Sequence, residues 1–297
     1  MKKNLKCYLL CASMLFIVAQ SIKAQKDFVK FVSPFPSLPH DVRKFSVIDT
    51  AKYVITYSVK EVINPIKYPN DTLEERLTLQ IGYRLSKSFN QSLFDADSIL
   101  FYHYIAKGKE GPYRTQPLLP VDIYKNYPKG TTLVEYRLTK YNYRYKETYP
   151  IDFKWQLSNE HKRILIYDCQ KATCTFRGRN YIAWFTSEIP IQNGPYKFGG
   201  LPGLILQISD DKDHYVFTCI GVEKPKTIVP IKLFTWNYTD ISREKLNKDL
   251  IKVYNNQAQF LVSSGWRAVV RDETTGKKTD TTAKIPNVLS YNPIELE

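Results

Sequence analysis

Apolar and polar residues alternate along much of the chain, and this pattern predicts a β-rich protein. Within residues 73–85, Leu77, Leu79 and Ile81 alternate with polar positions, so their side chains share one face of a half-buried strand. Residues 53–59 are rich in β-branched and aromatic side chains, which favour strands. Short aromatic runs broken by Pro and Asn recur through the sequence. We therefore expect a sheet that is mainly antiparallel.

The second half of the chain contains two predicted hairpins. Residues 164–176 and 181–186 flank a glycine turn, and residues 204–209 and 215–222 flank an acidic turn. Further strand candidates are residues 133–145, 151–157 and 266–270. Residues 107–129 contain two glycines and four prolines, and this composition predicts a surface loop or a flap.

One segment, residues 242–264, has the pattern of an amphipathic helix. Ser242 is a suitable N-cap and Gly265 a suitable terminator. The apolar positions recur at helical spacing, at Leu246, Leu250, Val253 and Leu261. The periodicity of residues 90–105 does not distinguish a helix from other structure. The predicted fold class is α+β, with a curved, half-barrel-like antiparallel sheet and one main helix packed against it.

The sequence constrains the backbone conformation most strongly between residues 184 and 208. Leu201-Pro202-Gly203-Leu204 places Pro second and Gly third in a four-residue turn. Pro favours the φ of the second position of a type II turn, and Gly accepts the positive φ of the third. An apolar, strand-like run then continues to Ile208. We expect this corner to be scaffolding that starts a buried strand.

These residues also carry a family resemblance. The string GLPGLI at residues 200–205 follows Trp184-Phe185-Thr186 and Gly194-Pro195-Tyr196-Lys197-Phe198. It resembles the signature of the GLPGLI family, exported proteins of Bacteroidetes-type bacteria that have no established biochemical activity. The ending Asn292-Pro293-Ile294-Glu295-Leu296 also resembles the ending of that family. The resemblance is strongest over residues 164–224 and implies a single family domain over residues 25–297, but almost nothing about chemistry.

The N-terminus has the features of a secretory signal peptide. A basic segment precedes the apolar residues 8–19, and Ile22-Lys23-Ala24 is a plausible cleavage site. Residue 10 before Cys11 is a bulky Leu, which argues against a lipoprotein. No other stretch is long and apolar enough for a transmembrane helix. We expect cleavage after Ala24 and export to the periplasm or the outer cell surface.

The chain is basic. Loss of the four lysines of the signal peptide lowers its formal net charge from +14 to +10. Such a balance suggests attraction to anionic partners, which for an exported protein are acidic lipids, lipopolysaccharide or acidic glycans and not nucleic acid. The alternative is that Lys and Arg only solvate the faces of strands.

Three cysteines remain after the signal peptide: Cys169, Cys174 and Cys219. An exported chain permits a disulfide. If residues 164–176 form one strand, Cys169 and Cys174 point to opposite faces, which leaves Cys219 as the partner of either. No His or second Cys lies at zinc-ligand spacing, and neither a metal nor another cofactor is predicted.

Residues with catalytic chemistry are scattered and fall in no known motif. The four histidines are isolated in sequence, and His214 at a strand start is a candidate base. Glu188 is a candidate acid without an identifiable partner. Asp210, Asp211 and Asp213 lack the spacing of a calcium loop, so we interpret them as turn residues with weak calcium binding as the alternative. The sequence therefore predicts no catalytic residue.

The residues around the GLPGLI string are the candidate wall of an apolar pocket: Trp184, Phe185, Pro195, Tyr196, Phe198, Gly200, Leu201, Pro202, Gly203 and Leu204. The alternative is that their aromatic rings pack a hairpin against the helix. The predicted function is that of a non-enzymatic envelope protein that binds an apolar, lipidated or peptide ligand in the concave face of the sheet. Two further hypotheses stay open, a partner of an outer-membrane transporter or envelope complex, and a hydrolase without a recognisable motif.

Overall fold

The computed structural model describes residues 36–37, 40–67, 71–103, 105–108, 114–115, 119–265, 269–271, 278–280, 282–284 and 287–297. All of them belong to one compact unit, Ser33–Glu297. The predicted signal peptide, residues 1–24, lies outside the described residues. Among the described residues, none of the helices combines the length and the apolar character that crossing a bilayer requires.

Strands account for most of the described structure. In chain order they are β1 (Pro36–Ser37), β2 (Phe45–Thr50), β3 (Tyr53–Val62), β4 (Thr72–Ile81), β5 (Ser86–Asn90), β6 (Arg114–Thr115), β7 (Val121–Lys125), β8 (Thr131–Leu138), β9 (Tyr141–Thr148), β10 (Gln156–Ile164), β11 (Tyr167–Phe176), β12 (Arg179–Thr186), β13 (Leu204–Asp210), β14 (Tyr215–Glu223), β15 (Pro230–Phe234), β16 (Thr239–Asp240), β17 (Val269–Arg271) and β18 (Lys278–Asp280). The α-helices are α1 (Gln91–His103), α2 (Arg243–Asn255) and α3 (Gln257–Ser263). Short 3-10 helices occupy Pro65–Lys67, Ile105–Lys107 and Thr282–Lys284.

Twelve strands form one open sheet in the order β10-β11-β12-β13-β14-β3-β4-β5-β7-β8-β9-β16. Its pairings are antiparallel, except that β16 runs parallel to β9. The remaining strands form three two-stranded ribbons, β1 with β6, β2 with β15, and β17 with β18. This α+β architecture with a mainly antiparallel sheet confirms the predicted fold class.

The sheet curves strongly, because groups far apart in its strand order are in contact. Arg177, in the turn after β11, donates a hydrogen bond to Glu147 on β9 at 2.8 Å. These two strands are separated by eight others in the sheet order. On the concave side, the hydroxyl of Tyr57 on β3 reaches across β14 and donates to the carbonyl of Ile205 on β13 at 2.7 Å. The main hydrophobic core fills the concave side of this curve.

Alternation places the core side chains as predicted for the central strands. Leu77, Leu79 and Ile81 on β4 are buried, and so are Ile55 and Tyr57 on the neighbouring β3. The residues between them face the opposite side of the sheet, which we call the outer face. α1 and the β2–β15 ribbon lie against this outer face.

The helix predicted over residues 242–264 is interrupted at Asn256. The φ of Asn256 is −139°, which lies outside the helical region. The next amide, that of Gln257, donates to the carbonyl of Asn287 at 2.8 Å instead of continuing the helical ladder. The N-cap prediction is confirmed, since the Ser242 hydroxyl accepts from the Lys245 amide at 3.2 Å.

Three strand and loop predictions are wrong in detail. The candidate strand 133–145 is divided between β8 and β9 by a turn in which Thr139 has a φ of 53°. Residues 151–155 form no regular element, because Phe153 is instead buried against Phe176, with ring centroids 4.8 Å apart. The predicted loop 107–129 contains β7, whose five residues are all buried. Its backbone pairs with β5 and β8, and this pairing overrides the surrounding loop composition.

Candidate functional site

The GLPGLI string lies at the end of a buried loop, residues 193–203, which we call the motif loop. Phe198 is fully buried in it, and Leu201 and Tyr196 are nearly so. The ring of Phe198 packs against Phe153 and Tyr181, at centroid distances of 5.6 and 4.8 Å. The motif loop therefore forms part of the core on the concave side of the sheet.

The predicted type II turn is not formed. The Gly203 amide donates to the carbonyl of Leu201 at 2.7 Å, which is the three-residue hydrogen bond of a γ-turn centred on Pro202. Gly203 does not have a positive φ, whereas Gly200 does, at 83°. Pro202 still suits the turn, because an inverse γ-turn needs a φ close to the value that its ring imposes.

Gly203 is required for a different reason, the close approach of two main-chain segments. A β-carbon at this position would lie 2.0 Å from the carbonyl oxygen of Thr186 and 2.6 Å from its carbonyl carbon. Both atoms belong to the backbone, so no rotamer change can relieve the overlap. The glycine thus brings the motif loop against the end of β12, and β13 begins at the next residue.

The motif loop is also bound by Lys125, the last residue of β7. Its ammonium donates to the side chain of Asn193 at 2.9 Å and to the carbonyls of Gly194 and Phe198 at 2.8 and 2.5 Å. These three acceptors match the three hydrogens of a lysine ammonium. Burial lowers the pKa of Lys125 to about 7. This lysine connects β7 to the loop without a carboxylate partner among these contacts.

Lys197 of the motif loop is the centre of a buried ionic cluster. The cluster consists of Lys197, Glu147, Glu295, Arg177 and Arg243. The Lys197 ammonium lies 2.6 Å from each carboxylate, and its side chain is completely buried. Arg243 at the start of α2 lies 3.5 Å from Glu147. The cluster therefore links the motif loop, β9, the β11–β12 turn, α2 and the segment that ends at Glu297.

Protonation in this cluster follows from its charges. Burial alone lowers the pKa of Lys197, but Tyr145, Glu295 and Glu147 more than offset this and raise it above the ordinary value. Burial raises the pKa of Glu295, and Lys197 and Tyr196 reverse this, so that the net pKa is lowered. Both groups are thus held charged. Because the Lys197 side chain is closed to solvent, the geometry favours a structural role for it over a catalytic one.

The other candidate pocket-wall residues are mostly buried in the same way. Phe185, Pro195 and Leu204 are buried, whereas Gly200 and Pro202 are exposed. Trp184 is half-buried, with the Lys162 ammonium 4.3 Å from its ring centroid. Most of these side chains pack into the core on the concave side of the sheet, because the motif loop folds back into the curve of the sheet.

Two neighbouring carboxyl groups, the buried Glu61 and the half-buried Glu75, were not predicted from the sequence. Burial and the nearby Glu75 raise the pKa of Glu61 well above its ordinary value, and burial raises the pKa of Glu75 to about 7. Asn90 donates to Glu75 at 2.5 Å, while Oε2 of Glu61 has no hydrogen-bond partner among the described residues. A Glu in an alternating strand is normally read as a surface position, so the sequence contains no signal for this pair.

The candidate acid and base residues are not brought together in a cleft. His161 lies 2.7 Å from Asp168, but both side chains are exposed on the β10–β11 hairpin. Glu188 accepts from the Asp168 amide at 2.9 Å, and His214 immediately precedes β14. Asp210 is paired with Arg179 at 2.8 Å, which agrees with a structural role in the turn.

The three cysteines are free and buried in the structure. Burial raises the pKa of Cys169 to about 11, and that of Cys174 to about 12. None of the disulfide pairings that the sequence leaves open is formed.

An open cleft of about 490 Å³ lies on the outer face of the sheet. We call it the outer cleft. Its floor is formed by β3, β4 and β5, and its walls by α1 and by the segment from Glu223 to Phe234. The lining residues are Val54, Thr56, Arg76, Thr78, Gln80, Lys87, Phe89, Gln91, Phe94, Asp95, Glu223, Pro225, Val229, Pro230, Lys232 and Phe234. None of the GLPGLI residues belongs to this lining.

Lys87 fixes the inner end of the outer cleft. Its ammonium lies 2.8 Å from Asp122 and donates to the carbonyl of Lys232 at 3.0 Å. It is also 4.5 Å from the ring centroid of Phe234 and 5.0 Å from that of Phe89, within the range of cation–π attraction. The β15 wall and the β5 floor are therefore held together by one buried cation.

The charged groups nearer the mouth of the cleft are more accessible. Arg76 and Asp95 form an ion pair at 3.1 Å, and their side chains are 58% and 41% exposed. Thr78 donates to Gln91 at 2.8 Å, and Gln91 donates to Asp95 at 2.7 Å. The cleft thus combines aromatic walls, amide and hydroxyl groups, and charges of both signs.

Comparison with known proteins gives a limited family match. A family model described as "Protein of unknown function (Porph_ging)" matches residues 176–207, which cover β12, the motif loop and the start of β13. No curated protein matches the chain. Two crystal forms of PNGF-II, in space groups C2 and P21, are similar in structure, each with a TM-score of 0.47 and with 14% and 15% sequence identity. Each match covers 70% of this chain and 34% of the other, so the chain spans about a third of the length of those structures. The chain is therefore similar, around the motif loop, to a family of proteins of unknown function.

Proposed function

We propose that this protein is an exported, non-enzymatic binding protein of the GLPGLI family that acts in the cell envelope and binds a peptide in the outer cleft. One observation carries the proposal. Most of the motif residues are buried in the core, whereas the outer cleft offers about 490 Å³ of accessible space, which lies within the usual size range of ligand pockets. We therefore place the proposed binding site on the outer face of the sheet, whereas the sequence predicted it on the concave face.

The chemistry of the cleft lining favours a peptide over a purely apolar ligand. Phe89, Phe94 and Phe234 provide apolar contacts for a side chain. Thr56 and Gln80 are half-buried and offer hydrogen-bonding groups to a peptide main chain. An acyl chain would leave such groups without partners, which costs free energy.

The accessible charges suit the same ligand. Arg76 and Asp95 pair with each other in the free protein, and exposed ion pairs of this kind contribute little stability. They are therefore available to exchange partners with charged groups of a bound peptide. Lys232 and Glu223 add one further charge of each sign to the lining.

Blocking the cleft tests the proposal. Thr56→Trp places a large ring on the floor of the outer cleft, whereas the matched Thr175→Trp places the same ring on an exposed position of β11. A pool of random-sequence hexapeptides is the probe, and bound peptide is detected by native mass spectrometry. We expect retention by the parent chain and by Thr175→Trp, and loss by Thr56→Trp.

Two results would refute peptide binding in the cleft. One is equal retention by both tryptophan variants, which would place any bound peptide elsewhere. The other is retention of palmitate in preference to the peptide pool, which would favour an apolar ligand.

Export is tested separately. We expect the protein recovered from the envelope of its own cells to begin at Gln25, and N-terminal sequencing measures this directly. An uncleaved N-terminus on protein from the cytoplasm would contradict export while leaving the cleft proposal intact.

A further inference from the structure

The wall of the outer cleft continues into an exposed basic patch at one end of β3 and β4. The patch consists of Lys52, Tyr83, Lys224, Lys226 and Ile228. All five residues are exposed, Ile228 to 83% and Tyr83 to 72%. Exposed apolar side chains that are grouped, unlike those scattered singly, mark interaction surfaces.

Main-chain contacts place these residues side by side. The Ala51 amide donates to the carbonyl of Val229 at 2.9 Å, which brings the loop next to Lys52. The Lys52 amide donates to the carbonyl of Ile81 at 2.7 Å, so the chain that continues to Tyr83 lies beside it. The patch is therefore a continuous surface formed by three segments of the chain.

Two cation–ring contacts organise the patch further. The Lys52 ammonium lies 4.8 Å from the ring centroid of Tyr83, and the Lys224 ammonium lies 5.2 Å from that of Tyr53. Each ammonium thus lies over an aromatic ring, within the range of cation–π attraction. Glu223 is the acidic residue at the start of this loop, so the three lysines of the patch outnumber it.

We propose that the basic patch docks on a bilayer surface that contains anionic headgroups. Lysines near such a surface are attracted by its negative potential, and the formal net charge, +14 for the full chain and +10 without the four lysines of residues 1–24, adds a long-range attraction. A soluble polyanion would satisfy the lysines but would give no reason for an exposed Ile228 beside them. An interface between headgroups and acyl chains satisfies both, because an apolar tip inserts below the headgroups while the cations remain among them.

The consequence for the molecule is a defined orientation on the membrane. The loop that bears Lys224, Lys226 and Ile228 is also a wall of the outer cleft, to which it contributes Pro225 and Val229. Docking through this loop places the cleft at the membrane surface. The inference goes beyond peptide binding and does not depend on it.

Vesicle sedimentation tests the inference. Protein recovered from expressing cells is used without further truncation, and all comparisons are between variants that share the same N-terminus. Vesicles of phosphatidylcholine are compared with vesicles that also contain phosphatidylglycerol. We expect binding to the anionic vesicles, much weaker binding to the neutral ones, and a decrease as ionic strength rises.

Two substitutions and two matched controls locate the docking surface. Lys226→Ala is expected to weaken binding to anionic vesicles about fivefold, and Ile228→Ser roughly tenfold. The controls are Ile66→Ser and Lys67→Ala, which change the same residue types at the opposite end of the β3–β4 hairpin. Ile66 is 96% exposed, so exposure alone does not distinguish it from Ile228, and both controls are expected to bind like the parent chain.

Each contrary result has a clear meaning. Equal losses in the patch variants and the controls would overturn the assignment of this surface. Unchanged binding of Ile228→Ser, together with full competition by dextran sulfate, would show an anion site and not a membrane-docking surface. The cleft variant Thr56→Trp is expected to bind vesicles normally, so failure of peptide binding and failure of docking are distinguishable.

Discussion

At Gly203 the main chain passes so close to Thr186 that a single added carbon has no room. The overlap of a β-carbon with the Thr186 carbonyl, at 2.0 Å, involves backbone atoms of both segments. Relief therefore requires β12 and the motif loop to move apart. A requirement of this kind is more restrictive than a favourable turn conformation, because it depends on two segments at once.

We expect Gly203→Ala to lower the free energy of unfolding by about 3 kcal/mol or more, or to prevent folding. The matched control is Gly221→Ala, since a β-carbon on Gly221 meets nothing within 4 Å and its φ is not in the left-handed region. Urea denaturation measures both. A Gly203→Ala variant as stable as Gly221→Ala would contradict the close packing of the motif loop against β12.

Glu75 is a second single residue with a testable consequence, a dependence of stability on pH. Burial raises its pKa from 4.5 to about 7, so the folded chain holds a proton that the unfolded chain releases between these values. The contribution of this carboxyl to stability is full below pH 4.5 and is lost as the pH rises through about 7. The loss is of the order of 3 kcal/mol.

Glu75→Gln is expected to flatten the fall in unfolding free energy between pH 4.5 and about 7, because the amide does not titrate. Glu74→Gln is the control, since Glu74 is exposed on the same strand. Urea denaturation at a series of pH values measures the slopes. An unchanged slope in Glu75→Gln would show that this carboxyl titrates normally in the folded protein.

At the scale of elements, α2 is determined partly by local and partly by tertiary interactions. A local interaction determines where it starts, because the Ser242 hydroxyl accepts from the Lys245 amide. Tertiary packing determines its inner face, because Leu246, Leu250 and Tyr254 are buried against the core. A tertiary contact also determines its end at Asn255, since the amide of Gln257 donates to the carbonyl of Asn287.

We expect Ser242→Ala to lower the free energy of unfolding by about 1 kcal/mol, because the amides of the first turn lose their side-chain acceptor. Ser242→Asp retains an acceptor at this position and is expected to be as stable as the parent chain. Thermal and urea unfolding of the two variants measure the difference. Equal destabilisation by Ala and Asp would indicate that Ser242 acts through packing and not through capping.

At the scale of the whole molecule, the buried ionic cluster joins parts of the chain that are remote in sequence. Lys197 lies in the motif loop, Glu147 on β9, and Glu295 in the segment after Asn292. A buried cation shared by two carboxylates offsets a desolvation cost that either carboxylate would otherwise bear alone. Lys197 therefore connects the motif loop to β9 and to the C-terminal segment on the concave side of the sheet.

Lys197→Met is expected to lower the free energy of unfolding by about 3–5 kcal/mol, because it leaves Glu147 and Glu295 buried without their shared cation. Adding Glu295→Gln to this variant is expected to recover part of the loss, since it removes one of the two buried charges. Lys154→Met, which removes an exposed partner of Asp152, is the control and is expected to be neutral. No recovery in the double variant would show that the loss comes from packing and not from charge.

Much of the fold was predictable from short-range patterns. Alternation located β4, β-branched and aromatic composition located β3, and turn residues between strand-like runs located β12, β13 and β14. The elements that were missed depend on long-range partners. β7 is a central strand within a proline-rich segment, and its burial comes from pairing with β5 and β8.

The outer cleft was not predictable in the same way. Its lining comes from β3, β4, β5, α1 and the segment from Glu223 to Phe234, which includes β15, and no local pattern relates these segments. The GLPGLI string, by contrast, is recognisable in the sequence and marks a mostly buried corner of the fold.

The sequence alone determined the β-rich α+β class, the capped helix start and the presence of a turn at Pro202, because each depends on the conformational preferences of neighbouring residues. Only the tertiary structure decided that Gly203 serves a close approach, that Lys197 is buried between two carboxylates, and that the open cleft lies on the outer face. These features arise when segments separated by tens to hundreds of residues come into contact. The free energies that stabilise these features come from contacts between such segments, and therefore cannot be read from any single stretch of the chain.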